Sequence, residues 1–213
     1  MTEIFSPNML KTYDKCPKKY FFKYIKGLQM PVDDDIFTLG KNIHALASYY
    51  LKGEYIDRME KSLNLKETEL WKYLKGIKYF EYNTINTEYT LSVKVGANFF
   101  GGRLDALVEN EGHYYILDYK TGSAPKNPKY DYQTMIYTLC VSRFFKTENV
   151  TFVYIDLKNK MEISTDLTKE LIEEYETALL KISDNIIKGD FSAYHKDSRH
   201  CEYGKICYEK LLD

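Results

Sequence analysis

Two stretches near the middle of the chain alternate with a period that fits a strand and not a helix. Tyr89, Leu91, Val93 and Val95 recur at every second position, and after a polar turn at Glu109 to Gly112 the run His113-Tyr114-Tyr115-Ile116-Leu117 is apolar and rich in aromatics. Side chains on a strand project to opposite faces in turn, so such runs separated by turn residues predict neighbouring strands of one sheet. The second run leads directly into Asp118-Tyr119-Lys120-Thr121-Gly122, and Asp118 lies thirteen residues after the end of Gly102-Arg103-Leu104-Asp105. Two acids and an amine are thereby attached to a predicted sheet.

By the same period, Asp118 and Lys120 share a face while the Tyr119 side chain points the other way. Asp105, near a second strand, is expected beside them. Carboxylates at close range repel unless a positive group lies between them, and a hard divalent cation such as Mg2+ or Mn2+ is the usual solution. Such an ion activates a water and neutralises charge on a phosphate, and the Lys120 ammonium can orient the nucleophile or stabilise developing negative charge. These residues suit metal-assisted phosphodiester hydrolysis. Taken alone, an Asp-x-Lys sequence usually marks a solvated strand end or a cross-strand ion pair.

The flanking segments read as helices around that sheet. Ser6 suits an N-cap, Pro7 the first helical position and Gly27 a C-terminal stop. From Ile36 to Lys52, Leu39, Ile43, Leu46 and Tyr50 recur at helical spacing, and His44 has the small residues Gly40, Ala47 and Ser48 about one turn away. Ile56 to Asn86 reads as a helical insertion before the sheet, with Met59, Leu63, Leu70, Leu74, Ile77 and Phe80 as its apolar positions. Asp131 to Phe145 is a predicted helix in which Gln133 and Tyr137 sit one above the other, with Cys140 in the core. Val150 to Leu157 is a predicted strand, and Lys169 to Lys188 a helix stopped by Gly189. The expected whole is one α/β domain over residues 1–213, a mixed central β-sheet flanked by helices.

The string from Gly102 to Gly122 is joined by an N-terminal pattern of Phe5-Ser6-Pro7, Tyr13-Asp14-Lys15-Cys16-Pro17 and Tyr20-Phe21-Phe22-Lys23-Tyr24. Together they resemble the RecB and AddB branch of the PD-(D/E)XK nuclease superfamily, with the CRISPR-associated adaptation nucleases as a neighbouring group. The resemblance implies a restriction-endonuclease-like core. It implies that His44, Asp105 and Asp118 hold the metal, with the Tyr119 carbonyl as a further ligand, and that Lys120 assists the attack of water. Gln133 and Tyr137 match a Gln-x-x-x-Tyr element whose side chains position DNA or the catalytic groups. Glu88, on the strand before Asp105, reads as an aid to a second metal or to the base, against the ordinary fate of a strand glutamate in solvent. The implied activity is a metal-dependent DNA exonuclease of recombination, repair or mobile-element processes. Its substrate would be single strands or duplex ends, and a helicase or recombination partner would accompany it. The alternative is a DNA-binding or assembly subunit that keeps the fold without cutting.

Relatives of this type fasten their termini with a [4Fe-4S] cluster on one N-terminal and three C-terminal cysteines. Cys16, Cys201 and Cys207 keep that spacing in the C-terminal segment 195–213 and its N-terminal counterpart, while Ser198 stands where the fourth cysteine would be. A site completed by Ser198, His195 or His200, zinc in place of iron, and thiols buried without metal are all open readings.

Composition limits the remaining classes. With 213 residues, 44% of them hydrophobic and 15% aromatic, the chain can bury a substantial core and is not disordered. A formal net charge of −1 gives no global pull toward nucleic acid, so local patches must supply it. Lys11, Lys15, Lys18, Lys19, Lys23 and Lys26 alternate with aromatics near the N-terminus, and Lys126 and Lys129 follow the Asp-x-Lys segment. The aromatics read as the inside of a helix pair and the lysines as phosphate contacts. No apolar stretch approaches the length of a membrane span and no leader is evident, so a cytoplasmic protein is expected.

Overall fold

One mixed sheet of six strands carries the polar signature on its central strands. The computed structural model describes residues 4–30, 35–192 and 201–208. The strands are β1 (Ile4–Phe5), β2 (Asn83–Val95), β3 (Asn98–Asn110), β4 (His113–Lys120), β5 (Val150–Asp156) and β6 (Met161–Asp166). β2 runs antiparallel to β3 from Asn83↔Glu109 to Val95↔Asn98. β3 also pairs in parallel with β1 at Phe99 and Phe100, and antiparallel with β4 from Ala106 to Asn110. On that side the ladder leaves Gly101 to Asp105 without a strand partner among the described residues. β5 then lies parallel to β4, and β6 closes the sheet antiparallel to β5.

Local chemistry accounts for these connections. The turn between β3 and β4 is Glu111 and Gly112, both at positive φ (52° and 80°). That conformation matches the twist of a two-residue hairpin. All seven residues of β5 are buried, as suits an interior strand with both faces covered.

Helices cover both faces. α1 (Pro7–Lys15), α6 (Tyr132–Phe145) and α7 (Lys169–Ile187) pack Leu10, Ile136, Tyr175 and Leu179 with Phe100, Leu107, Ile116 and Phe152 in one core. α3 (Asp35–Leu51) and α5 (Leu65–Lys75) pack Ile43, Leu46, Trp71 and Leu74 with Ala106, Val108, Leu117 and Val153 in the other. Between α1 and α3 run a short α2 (Pro17–Tyr20) and a π-helical turn, Phe21–Ile25. α4 (Asp57–Ser62) precedes α5, and α8 (Gly204–Tyr208) ends the described chain.

Ser6 caps α1 as its sequence position predicts, and Asp131 caps α6. Ser6 Oγ accepts the Met9 N–H at 3.3 Å with Pro7 in the first turn, and Asp131 accepts the Gln133 N–H at 2.9 Å. Each satisfies an N–H that a helix leaves open. One expectation is corrected: the helical insertion does not extend to Asn86. Its last helical turn ends at Glu81 and β2 begins at Asn83, because Asn83 and Thr84 find strand partners in Glu109 and Val108. The register shifts between Thr84 and Asn86, leaving Ile85 as an extra residue in a bulge. Among the described residues no helix is long and apolar enough to cross a membrane.

Candidate active site

Where the ladder between β3 and β4 stops, the carboxylate of Asp105 takes over its role. Asp105 Oδ2 accepts the Tyr119 N–H at 2.9 Å, and Oδ1 lies 3.2 Å from His44 Nδ1. The other ring nitrogen of His44, Nε2, is 3.0 Å from the Tyr119 carbonyl oxygen. A carbonyl only accepts, so Nε2 carries a hydrogen and donates. Burial alone would lower the pKa of His44, but the hydrogen bond and charge of Asp105, with the charge of Asp118, outweigh it and hold the imidazole above its ordinary value.

Glu88 reaches the same point from β2. Thr87 pairs with Ala106 and Tyr89 with Leu104, which sets Glu88 opposite Asp105. Its backbone is left-handed, at φ 51°, a conformation an ordinary strand residue avoids. One ligand atom each of His44, Glu88 and Asp105 lies within 4.8 Å of the others. Glu88 Oε2 is also 2.9 Å from Arg103 Nε. One imidazole nitrogen and carboxylate oxygens beside a backbone carbonyl form a donor set suited to a hard divalent cation. These residues line a cleft of about 800 Å³ between α3, the middle of β2 and β3 and the end of β4, with Lys41, Lys52 and Arg103 among its walls.

Asp118 and Lys120 share a face, as the alternation predicted, and meet Gln133 of α6 there. Lys120 Nζ is 2.7 Å from Asp118 Oδ2, an ion pair without the alignment of a good hydrogen bond. It also donates to Gln133 Oε1 at 3.0 Å, and Gln133 Nε2 donates to Asp118 Oδ1 at 2.7 Å. The three side chains close a triangle. Burial, and then the charge of Asp105, push the Asp118 carboxyl up to about 6, against the opposing pull of Lys120 and His44. A carboxyl poised there exchanges protons near neutrality.

Tyr137, one helical turn after Gln133, donates its hydroxyl to the Arg103 carbonyl at 3.1 Å. The adjacent Gly102 is required by that contact, since a Cβ there would sit 2.8 Å from the hydroxyl oxygen. Gln133 thus serves the strand of Asp118, and Tyr137 the strand of Asp105. The Tyr119 side chain points away into the opposite core, where its hydroxyl is buried without a hydrogen-bond partner among the described residues.

A family model described as the PD-(D/E)XK nuclease superfamily matches residues 4–208. This chain belongs to that superfamily. Over 124 residues it is 28% identical to the CRISPR-associated exonuclease Cas4 of Francisella tularensis subsp. novicida, an alignment covering 57% of this chain and 63% of that protein. The match thus spans less than two thirds of that relative's length. A crystal structure from Eubacterium rectale, of a protein provisionally named an exonuclease, superposes with a TM-score of 0.61 at 12% identity. It covers 94% of this chain and 88% of that one, a likeness of fold.

Of the residues expected in the site, His44, Asp105 and the Tyr119 carbonyl come together at one point, and Asp118, Lys120 and Gln133 at the adjoining one. Glu88 is drawn closer to the first group than its sequence position suggested. The signal was not in the local pattern, because strand pairing sets it opposite Asp105.

Cys16 lies near the start of the sequence, and Cys201 and Cys207 lie after residue 200. Cys16 Sγ accepts the Lys19 N–H at 3.4 Å and caps α2. Lys19 pairs with Glu202 at 2.9 Å, and the Tyr203 hydroxyl donates to the Leu28 carbonyl at 2.8 Å. The two terminal segments therefore meet, as a shared cluster would require. Among the described residues no group of three metal-ligating side chains contains a cysteine, and Ser198, His195 and His200 lie outside the described residues. Cys140 sits on the buried face of α6, where burial pushes its thiol up to about 12.

Proposed function

We propose that this protein is a Mg2+- or Mn2+-dependent DNA exonuclease. The observation that carries the reading is the convergence of His44, Asp105 and Glu88 within 4.8 Å. It lies beside the closed triangle of Asp118, Lys120 and Gln133, in a chain of the PD-(D/E)XK superfamily. His44, Asp105 and Asp118 with the Tyr119 carbonyl would hold the ion, and Glu88 is the additional acid offered from β2. A divalent ion bound there supplies charge for the phosphate oxygens and a more acidic water.

The protein's own groups do the rest. Asp105 fixes the ring of His44 on one side and the Tyr119 N–H on the other, so the splayed end of β4 keeps its carbonyl aimed at the cleft. Lys120 presents its ammonium where negative charge develops, and Gln133 holds that ammonium and the Asp118 carboxylate in one geometry. Tyr137 and Gly102 keep β3 close to α6, which sets the position of Asp105.

Lys41, Lys52 and Arg103 line the same cleft in a chain whose net charge is only −1. Contacts with a phosphate backbone would therefore concentrate at this mouth. Tyr49, also lining the cleft and half exposed, offers a ring for stacking on an unpaired base. The exonuclease named among the relatives supports end-directed cleavage of DNA.

The test compares end-labelled linear oligonucleotides with closed circular single strands, each with Mn2+ and with chelator. Progressive shortening of the linear DNA only, and only with Mn2+, is the expected result. Cutting of circles would remove the exonuclease assignment. Tight binding with no cleavage under any metal would point instead to a non-cutting assembly subunit.

A further inference from the structure

Gln133 has a second ammonium on its amide oxygen, delivered from the other end of the chain. Lys11 Nζ donates to Gln133 Oε1 at 3.1 Å and lies 2.9 Å from Asp131 Oδ1, the cap of α6. We propose that Lys11 is a positioning residue of the active site, acting on Asp118 and Lys120 through Gln133. The proposal rests on the nuclease reading above.

The fold gives Lys11 little freedom to be elsewhere. α1 is seated by the buried Met9, Leu10 and Tyr13, and Pro7 at its start approaches Gly102 on β3. Lys11 emerges from this anchored helix toward the first turn of α6, with its side chain about a third exposed. Asp131 Oδ1 already accepts the Gln133 N–H at 2.9 Å and the Tyr154 hydroxyl at 2.8 Å, so the ammonium meets a fixed acceptor.

The chemistry of a primary amide makes the contact consequential. Its oxygen accepts and its nitrogen donates, and the two exchange places when the group rotates by half a turn. With Lys11 and Lys120 both at Oε1, rotation would press the NH2 against two cations. The orientation that gives Nε2–H to Asp118 is therefore selected twice. Without Lys11, the oxygen keeps only Lys120, and the amide is freer to swing away from the buried carboxylate. The ammonium gives one hydrogen to Gln133, and its charge is paired with Asp131. It is better suited to hold the amide than to grip a phosphate.

A double-mutant cycle on cleavage by the full chain with Mn2+ tests this, using Lys11→Met, Lys11→Arg, Gln133→Ala and the Lys11→Met, Gln133→Ala pair. The expected result is a fall in kcat of about tenfold or more for Lys11→Met, with KM for DNA changed less than threefold and largely restored by Lys11→Arg. In the Gln133→Ala background, Lys11→Met should change kcat by less than about twofold. An equal loss in both backgrounds, or a raised KM at unchanged kcat, would show that Lys11 acts independently on the substrate and would overturn the proposal. Asp118→Asn separates the two claims: if wild type cuts and Asp118→Asn does not, the nuclease reading stands whatever Lys11 does. If wild type does not cut, the Gln133 side-chain amide is read by NMR in the metal-free protein. Altered shifts and faster NH2 exchange in Lys11→Met support the proposal, and unchanged resonances overturn it.

Discussion

Gln133 gives its side-chain N–H to Asp118 at 2.7 Å while its oxygen, 3.0 Å away, takes a hydrogen from Lys120. One amide thus bridges the acid and the amine of the Asp-x-Lys segment from a helix that is packed against the sheet. Removing it with Gln133→Ala deprives a buried carboxylate of the one directed hydrogen bond it has among the described residues. The expected effect is a loss of about 10- to 100-fold in single-turnover cleavage with a normal circular-dichroism spectrum. A wild-type rate would show that the triangle has no part in the reaction.

The pH dependence of stability follows from Asp118. Its carboxyl is raised from 3.8 to about 6 in the metal-free fold, so the folded state holds the proton more tightly than the unfolded chain. That contribution is fully present below pH ~4 and disappears as the pH rises through about 6, on the order of 3 kcal/mol in all. His44, also raised, adds stability in the same direction, lost above its ordinary range. Asp118→Asn is therefore expected to melt above wild type at pH 8 in chelator, with the two curves converging near pH 4. Parallel melting curves at every pH would contradict the assignment.

Gly101 stands where β2 passes closest. A Cβ there would lie 2.4 Å from the Leu91 carbonyl oxygen and 2.8 Å from Ser92 Cβ, both on the paired strand. Gly101→Ala is expected to cost roughly 2–4 kcal/mol because the backbone must shift. Gly122, with nothing within 4 Å of its Cβ position, is the control, and Gly122→Ala should stay within ~0.5 kcal/mol. Urea unfolding of both variants makes the comparison, and equal midpoints would refute it.

Tyr119 contributes its backbone and not its hydroxyl. The buried hydroxyl finds no described partner, so Tyr119→Phe removes a desolvated polar group and is expected to raise stability by about 1 kcal/mol. Cleavage should be unchanged, since the carbonyl facing His44 remains. Lowered stability would show that the hydroxyl has a partner in the fold, and lost cleavage would place the hydroxyl in the mechanism.

Much of this architecture was legible because it is set by local rules. Ser6 with Pro7 fixes the start of α1, Glu111 with Gly112 fixes the hairpin, and period two puts Asp118 and Lys120 on one face. Gln133 and Tyr137 were paired by helical spacing, though not their division of labour between β4 and β3. What escaped depends on distant pairing. Glu88 reads from the sequence as an aid to the site, but its place opposite Asp105 comes only through the β2–β3 register, and Lys11 reaches Gln133 across 122 residues. The expected helical insertion reaches too far because Asn83 and Asn86, poor strand formers, flank Thr84 and Ile85, and pairing with β3 draws the whole stretch into the strand.

The central claim is metal-dependent hydrolysis by one site made of His44, Asp105, Asp118 and Lys120. Its most direct test is cleavage of labelled DNA by wild type, Asp105→Asn, Asp118→Asn and Lys120→Ala, each with Mn2+ and with chelator. Wild type is expected to cut only with the metal, and each variant to lose at least about a hundredfold. Cleavage in chelator, or rates in all three variants matching wild type, would contradict the account.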